Sequence, residues 1–184
     1  TKNVRSIARV WILPYAYVVK ANSGIKTIAD LKGKKVVINF KTNVSLAQLN
    51  KTILATAGLT ENDVTAVESG GVVAGVNMVV EGRADATTAA LAMPAMTKAH
   101  ATVPGGMGVV ALGPQASDDF MNNGMPGSYT MLQKPAKNRP FVTQDTLIAA
   151  FDTYLNAGST VADEDAYAMA KAMYENWATL QKAY

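Results

Sequence analysis

Apolar and polar positions along the chain alternate between two rhythms. Ile7 to Leu13 is an apolar stretch broken at Pro14, and Tyr15 to Lys20 (YAYVVK) then reads as a short buried strand. Asn22-Ser23-Gly24 is a turn; Thr27 caps a one-turn helix through Leu31, and Gly33 ends it. Val36-Val37-Ile38 is a β-branched run of the kind buried on both faces of a sheet. After the polar stretch Asn39 to Asn43 comes a helix with Leu46, Leu49 and Ile53 on one face, stopped by Gly58. Thr60 to Asp63 has the capping-box pattern.

The same alternation continues. Val64 to Val67 is a strand, Ser69 to Gly71 a loop, and Val72 to Glu81 a helix stopped by Gly82. Ala84 to Thr88 is a short strand, with Pro94 near the start of the next helix. Met107 to Leu112 is a strand, Ser117 caps a helix through Asn122, and Gly124 to Pro140 reads as a loop-rich connector. Thr146 to Leu155 is a long strand. Asp163 then caps the longest helix, with Ala166, Tyr167, Ala170, Met173, Tyr174 and Trp177 on one continuous face. Strands alternating with helices predict an α/β fold, its mostly parallel sheet flanked by helices. No internal repeat interrupts the pattern.

Composition narrows the function. Of 184 residues, 49% are hydrophobic and 17% charged, which suits a packed core rather than disorder. The net charge of +3 comes from scattered lysines and arginines without interleaved aromatics, so nucleic acid is not an expected partner. Without cysteine there are no disulfides, thiolate metal sites or cysteine nucleophiles. No apolar run approaches the roughly 20 residues of a membrane span. The opening Thr1-Lys2-Asn3-Val4-Arg5 has no signal-peptide character, so a trimmed or truncated chain is expected.

Catalytic constellations are hard to assemble. His100 is the single histidine, read as an exposed residue at a helix end, and no triad motif surrounds it. HExxH and CxxC are missing, so neither a metal nor any other cofactor is expected. What remains suits binding, because α/β sheets hold ligands beyond the carboxyl ends of their strands. At Asn39, Lys41, Thr42, Asn43 and Ser45 a strand meets a polar loop and a helix amino terminus, where N–H groups can hold an anion. Thr42, Asn43 or Ser45 cap that helix, contact a ligand, or do both. Glu68, Ser69 and Gly70 form a second such junction, where Glu68 pairs with Lys41 or receives a ligand ammonium. Thr88 ends a third strand, and Trp11, Tyr15 and Tyr129 are candidate aromatic walls.

Several of these segments resemble one known family. Ile25 to Ile38 (IKTIADLKGKKVVI), Ile53 to Thr60 with Asp63-Val64, Gly82 to Ala86 and Asp163 to Asn176 are similar to the receptors of tripartite ATP-independent periplasmic (TRAP) transporters, TAXI branch. That branch has a Gly- and Ser-rich loop where this chain has Asn39 to Ser45. The resemblance implies a type 2 periplasmic binding protein fold, with residues 15–140 as the second lobe. Residues 1–14 and 141–184 would be hinge-crossing segments and part of a first lobe, the chain being a fragment. It also implies a periplasmic, non-enzymatic receptor that passes a small organic anion or amino acid such as glutamate to membrane permease subunits. The alternatives are an enzyme on this fold and the effector-sensing domain of a transcription regulator.

Overall fold

The computed structural model describes residues 3–182; Thr1 and Lys2, part of the opening read for a signal peptide, lie outside them. In chain order the elements are β1 (Val4–Lys20), β2 (Lys35–Phe40), α1 (Val44–Ala55), β3 (Thr65–Ser69), α2 (Val72–Val80), β4 (Ala86–Ala90) and α3 (Pro94–Thr102). There follow β5 (Met107–Val109), α4 (Asp118–Gly124), β6 (Ser128–Gln133), β7 (Thr146–Gly158), α5 (Asp163–Glu175) and α6 (Trp177–Lys182). Short 3-10 turns at Ile28–Leu31 and Glu61–Asp63 occupy the positions that Thr27 and Thr60 announced, each closed by its capping box. Gly33 and Gly58 take left-handed conformations, φ +72° at both, where a side chain would be strained.

The sheet runs in the order β3-β2-β4-β1-β7-β6, with β5 added on β1. It is α/β but mixed rather than mostly parallel. β2 pairs in parallel with β3 and β4, whereas β1 is antiparallel to both β4 and β5, and β6 to β7. The parallel pairs come from strands joined by helical crossovers, and β6 and β7 follow one another without a helix between them. The stretch read as connector contains β6, a half-buried edge strand whose Tyr129, Thr130 and Met131 suit a pleated surface. Pro14, expected to break a strand, lies inside β1. It sits one residue past the last register pair with β4 (Tyr15 with Ala90), so its missing N–H costs no bond there, and its carbonyl accepts from Leu91 N at 2.9 Å.

The chain divides into two units: Leu13–Phe151, and the residues up to Ile12 together with those from Asp152 onward. Residues 141–151 thus belong with the larger unit. Two apolar clusters fill that unit, one on each face of its sheet. Tyr15, Tyr17, Val36, Ile38, Leu49 and Ile53 pack on the α1 side. Ala16, Val18, Val37, Phe40, Val76 and Met96 pack on the α2–α3 side. The alternation along β1 follows from the two-residue period of a strand. At roughly 25 cal/mol per Å² of apolar surface removed from water, these clusters are the main source of stability.

The smaller unit is built otherwise. Among its described residues none is buried, and Trp11, Tyr154, Tyr167, Tyr174 and Trp177 expose much of their rings. Its strands are tied by polar contacts: Arg9 pairs with Asp152 at 2.8 Å, and Ser6 Oγ donates to Asn156 at 2.9 Å. The long terminal helix is two helices, because α5 ends at Asn176, whose φ of −107° leaves the helical range. Ala162, not Asp163, precedes its first turn, and Asp163, Glu164 and Asp165 complement the positive end of the dipole. The predicted apolar face of Tyr167 and Tyr174 stands in solvent.

Candidate functional site

Because β2, β3 and β4 are parallel, their carboxyl ends lie on one side of the larger unit, and α1, α2 and α3 all begin there. Two of the loops at this end are stitched together. Lys41 N donates to Ser69 O at 3.0 Å, extending the β2–β3 ladder by one rung. Thr42 Oγ1 donates to Gly70 O at 3.0 Å, and a side chain at Gly71 would meet that same Oγ1 at 3.2 Å. Lys41 Nζ and Glu68 Oε1 form an ion pair at 3.5 Å, both side chains more than half exposed. A pair so exposed contributes about 0–1 kcal/mol to stability, so neither charge is committed to holding the fold.

The helix starts differ in what they leave open. Asn43 Oδ1 accepts from Leu46 N at 3.0 Å and caps α1, while Thr42 and Ser45 stay exposed. α2 begins after Gly71, which has no side chain to offer, and α3 begins after Met93 with Pro94 in its first turn. No side chain caps either helix, so their first-turn N–H groups are left without a side-chain acceptor. Ser69 is buried and its Oγ donates to Gly71 O at 3.0 Å, fixing the turn before α2. Asn39 stands opposite Glu68 across a register shift in β2.

Beneath this surface lies a polar cluster. Tyr15 Oη donates to Thr88 Oγ1 at 2.7 Å, and Thr88 Oγ1 to Asn50 Oδ1 at 2.8 Å. Asn50 Nδ2 donates to Ile38 O at 2.7 Å, the carbonyl of the residue skipped by the register shift. Tyr17 Oη reaches Asn50 O at 3.3 Å. Burial pushes the Tyr15 hydroxyl far above its usual range, offset in part by the bond to Thr88, and burial raises Tyr17 likewise. Both phenols therefore stay neutral at any physiological pH. Tyr15 and Thr88, expected as ligand contacts, are 1% and 0% exposed and spend their hydroxyls on each other and on Asn50. They underlie the loops rather than line them.

The remaining predicted positions lie elsewhere. Tyr129 is on edge strand β6, near Asp118 and Asn122. Four strand spacings separate β6 from β2, about 19 Å at roughly 4.8 Å each. Trp11 belongs to the smaller unit, where it lines a depression with Val10, Trp177 and Leu180. His100 is half-buried instead of exposed: its Nδ1 accepts from Met107 N at 3.0 Å, and its ring packs 5.9 Å from that of Phe141. Asn50 went unnamed in the sequence, although its place between Leu49 and Ile53 puts it on the buried side of α1. Among the described residues no group of three His, Asp or Glu is placed to hold a metal, and no helix is long and apolar enough to cross a membrane.

Comparison with known proteins agrees with this architecture. The probable amino-acid ABC transporter extracellular-binding protein YtmK of Bacillus subtilis is similar over 98% of the chain, at 17% identity and TM-score 0.55. A TctC solute binding protein from Polaromonas is similar over 99%, at 16% identity and TM-score 0.57. An ancestral arginine-binding protein bound to arginine matches over 98%, at 21% identity and TM-score 0.53. At such identities the likeness is one of fold. The chain spans 62%, 59% and 62% of the length of these three structures respectively. No curated protein matches. The model of the NMT1-like family matches residues 1–184, and with that match over its whole length the chain belongs to the NMT1-like family.

Proposed function

We infer that this chain is the greater part of an extracytoplasmic solute receptor, in which two lobes close on a small solute and deliver it to membrane permease subunits. The observation that carries the reading is the joining of the 41–43 and 70–71 loops at the start of α1 and of the uncapped α2. That arrangement offers first-turn N–H groups without a side-chain cap, a lysine and a glutamate on one frame. An organic anion would meet Lys41 and the amino end of α2. An amino acid such as glutamate would add its ammonium at Glu68, displacing the Lys41–Glu68 pair.

The rest of the receptor follows from the same reading. The solute-binding proteins of similar fold are longer, and the smaller unit has no buried residue of its own among those described. A further segment of the polypeptide would supply that core and the opposing wall of the binding cleft. Closure would then be a hinge motion stabilised by contacts that only the closed form makes. The similarity of Ile25 to Ile38 to TAXI receptors supports a periplasmic location and a TRAP-type permease as partner.

A thermal-shift screen of the full-length polypeptide against amino acids, dicarboxylates, keto acids and sugars tests this. A saturable rise in melting temperature with one class is expected, about 2.7 kcal/mol of added stability at a hundred times Kd. Chemical turnover of a compound without any such rise would put an enzyme in place of the receptor.

A further inference from the structure

Gly75 is buried in α2, one turn after the helix begins at Val72. A Cβ at this position would overlap Thr87 Oγ1 on β4 and would meet Phe40 Cε1 at 3.4 Å and Ser69 Oγ at 3.5 Å. Thr87 is fully buried, and its hydroxyl has no hydrogen-bond partner. A β-branched side chain in a filled core has little freedom to turn aside. Phe40 and Ser69 are the final residues of β2 and β3, each next to a residue of the paired loops, Lys41 and Gly70. One missing side chain thus fixes how closely α2 approaches the strands from which both loops spring.

We propose that Gly75 is a positioning residue, whose lack of a side chain seats α2 against Thr87 and so sets the first turn of α2 relative to Lys41 and Thr42. Its functional meaning rests on the reading of those loops as the ligand-binding face. The geometry of the contact does not depend on that reading. A methyl group at 75 would displace α2 along with the Ser69–Gly71 turn, because the helix is stiff over the single turn between Val72 and Gly75. Removing the Thr87 hydroxyl and methyl would make room for it.

Amide hydrogen exchange followed by NMR tests this in G75A, T87A and the double variant. In G75A the amide of Lys41, which donates to Ser69 O, should exchange at least tenfold faster. Thr65 N–H, which donates to Lys34 O at the other end of the same strands, should keep its rate. T87A should behave as the natural chain, and G75A/T87A should regain slow exchange at Lys41. An equal change at both strand ends, no change in G75A, or a double variant that keeps the defect would overturn the proposal. Should G75A alone not fold, the double variant must fold with a protected Lys41 amide, and its failure would be equally decisive. No ligand enters the experiment, so failure of the receptor reading leaves its outcome untouched.

Discussion

At the amino ends of β2, β3 and β4 the turns are closed by carboxylates of the chain itself. Asp30 accepts from Lys26 N and Thr27 N at 2.9 and 2.8 Å, Asp63 from Thr60 N at 2.9 Å, and Asp85 from Lys35 N at 2.8 Å. At the carboxyl ends only α1 has a side-chain cap. α2 and α3 start without one, and the charged pair between the loops is solvent-exposed. Both ends carry the same kinds of backbone group. One end satisfies them with the chain's own carboxylates, while the other leaves two helix starts without a side-chain cap above a buried polar cluster. On the proposed reading, the carboxyl end is the one that would meet a solute.

The largest expected effect comes from removing that support. Asn50→Leu leaves the Ile38 carbonyl without its donor and Thr88 without its acceptor, a loss of about 2–3 kcal/mol in urea unfolding. If Asn50→Leu proves neutral, the carboxyl-end frame is held by apolar packing alone. A smaller effect is expected at the amino end. Thr60→Ala removes the capping hydroxyl of the 3-10 turn and should cost about 1 kcal/mol without altering ligand affinity.

The carboxylates of that end give the same comparison a pH axis. Backbone bonds from Lys26 and Thr27 hold Asp30 below its ordinary value, and backbone and hydroxyl bonds from Thr60 hold Asp63 below it. A carboxylate depressed in the folded state contributes stability above its unfolded pKa, near 3.9, and that contribution is lost as pH falls through the lower folded value. Carboxyl NMR should therefore give midpoints below 3.9 for both groups. On acidification, protection factors at the Thr27 and Thr60 amides should fall while that at Lys41 holds.

The smallest effect on stability, and the one that sharpens the contrast most, belongs to the exposed pair. Lys41→Ala and Glu68→Ala should each change unfolding free energy by less than about 0.5 kcal/mol. The same variants should weaken binding of whichever solute stabilises the full-length protein, as read by calorimetry. Unaltered affinity in both would remove the pair from the site.

Signals contained within about one turn of chain were legible in advance. The apolar spacing of Leu46, Leu49 and Ile53, the short turn started at Thr27, the capping box at Thr60, Pro94 at a helix start and Ser117 capping α4 all appear where their local chemistry puts them. So does the Lys41–Glu68 pair, suggested by two strand–loop–helix junctions of the same kind. The course of β1 through Pro14 was not legible, because it depends on where the β4 ladder ends. Nor was β6, whose Gly127 and Pro135 borders read as loop until β7 pairs with it.

The sequence by itself therefore determined an α/β chain with polar loops before helix starts, since propensity, capping and period act between neighbours. Only the tertiary structure decided which polar residues face water. Tyr15 bonds partners 35 and 73 positions away and is withdrawn into the core, while Lys41 and Thr42 are brought against Glu68 and Gly70. The Tyr15 hydroxyl takes its acceptors where the fold places them, and no pattern along the chain encodes that distance.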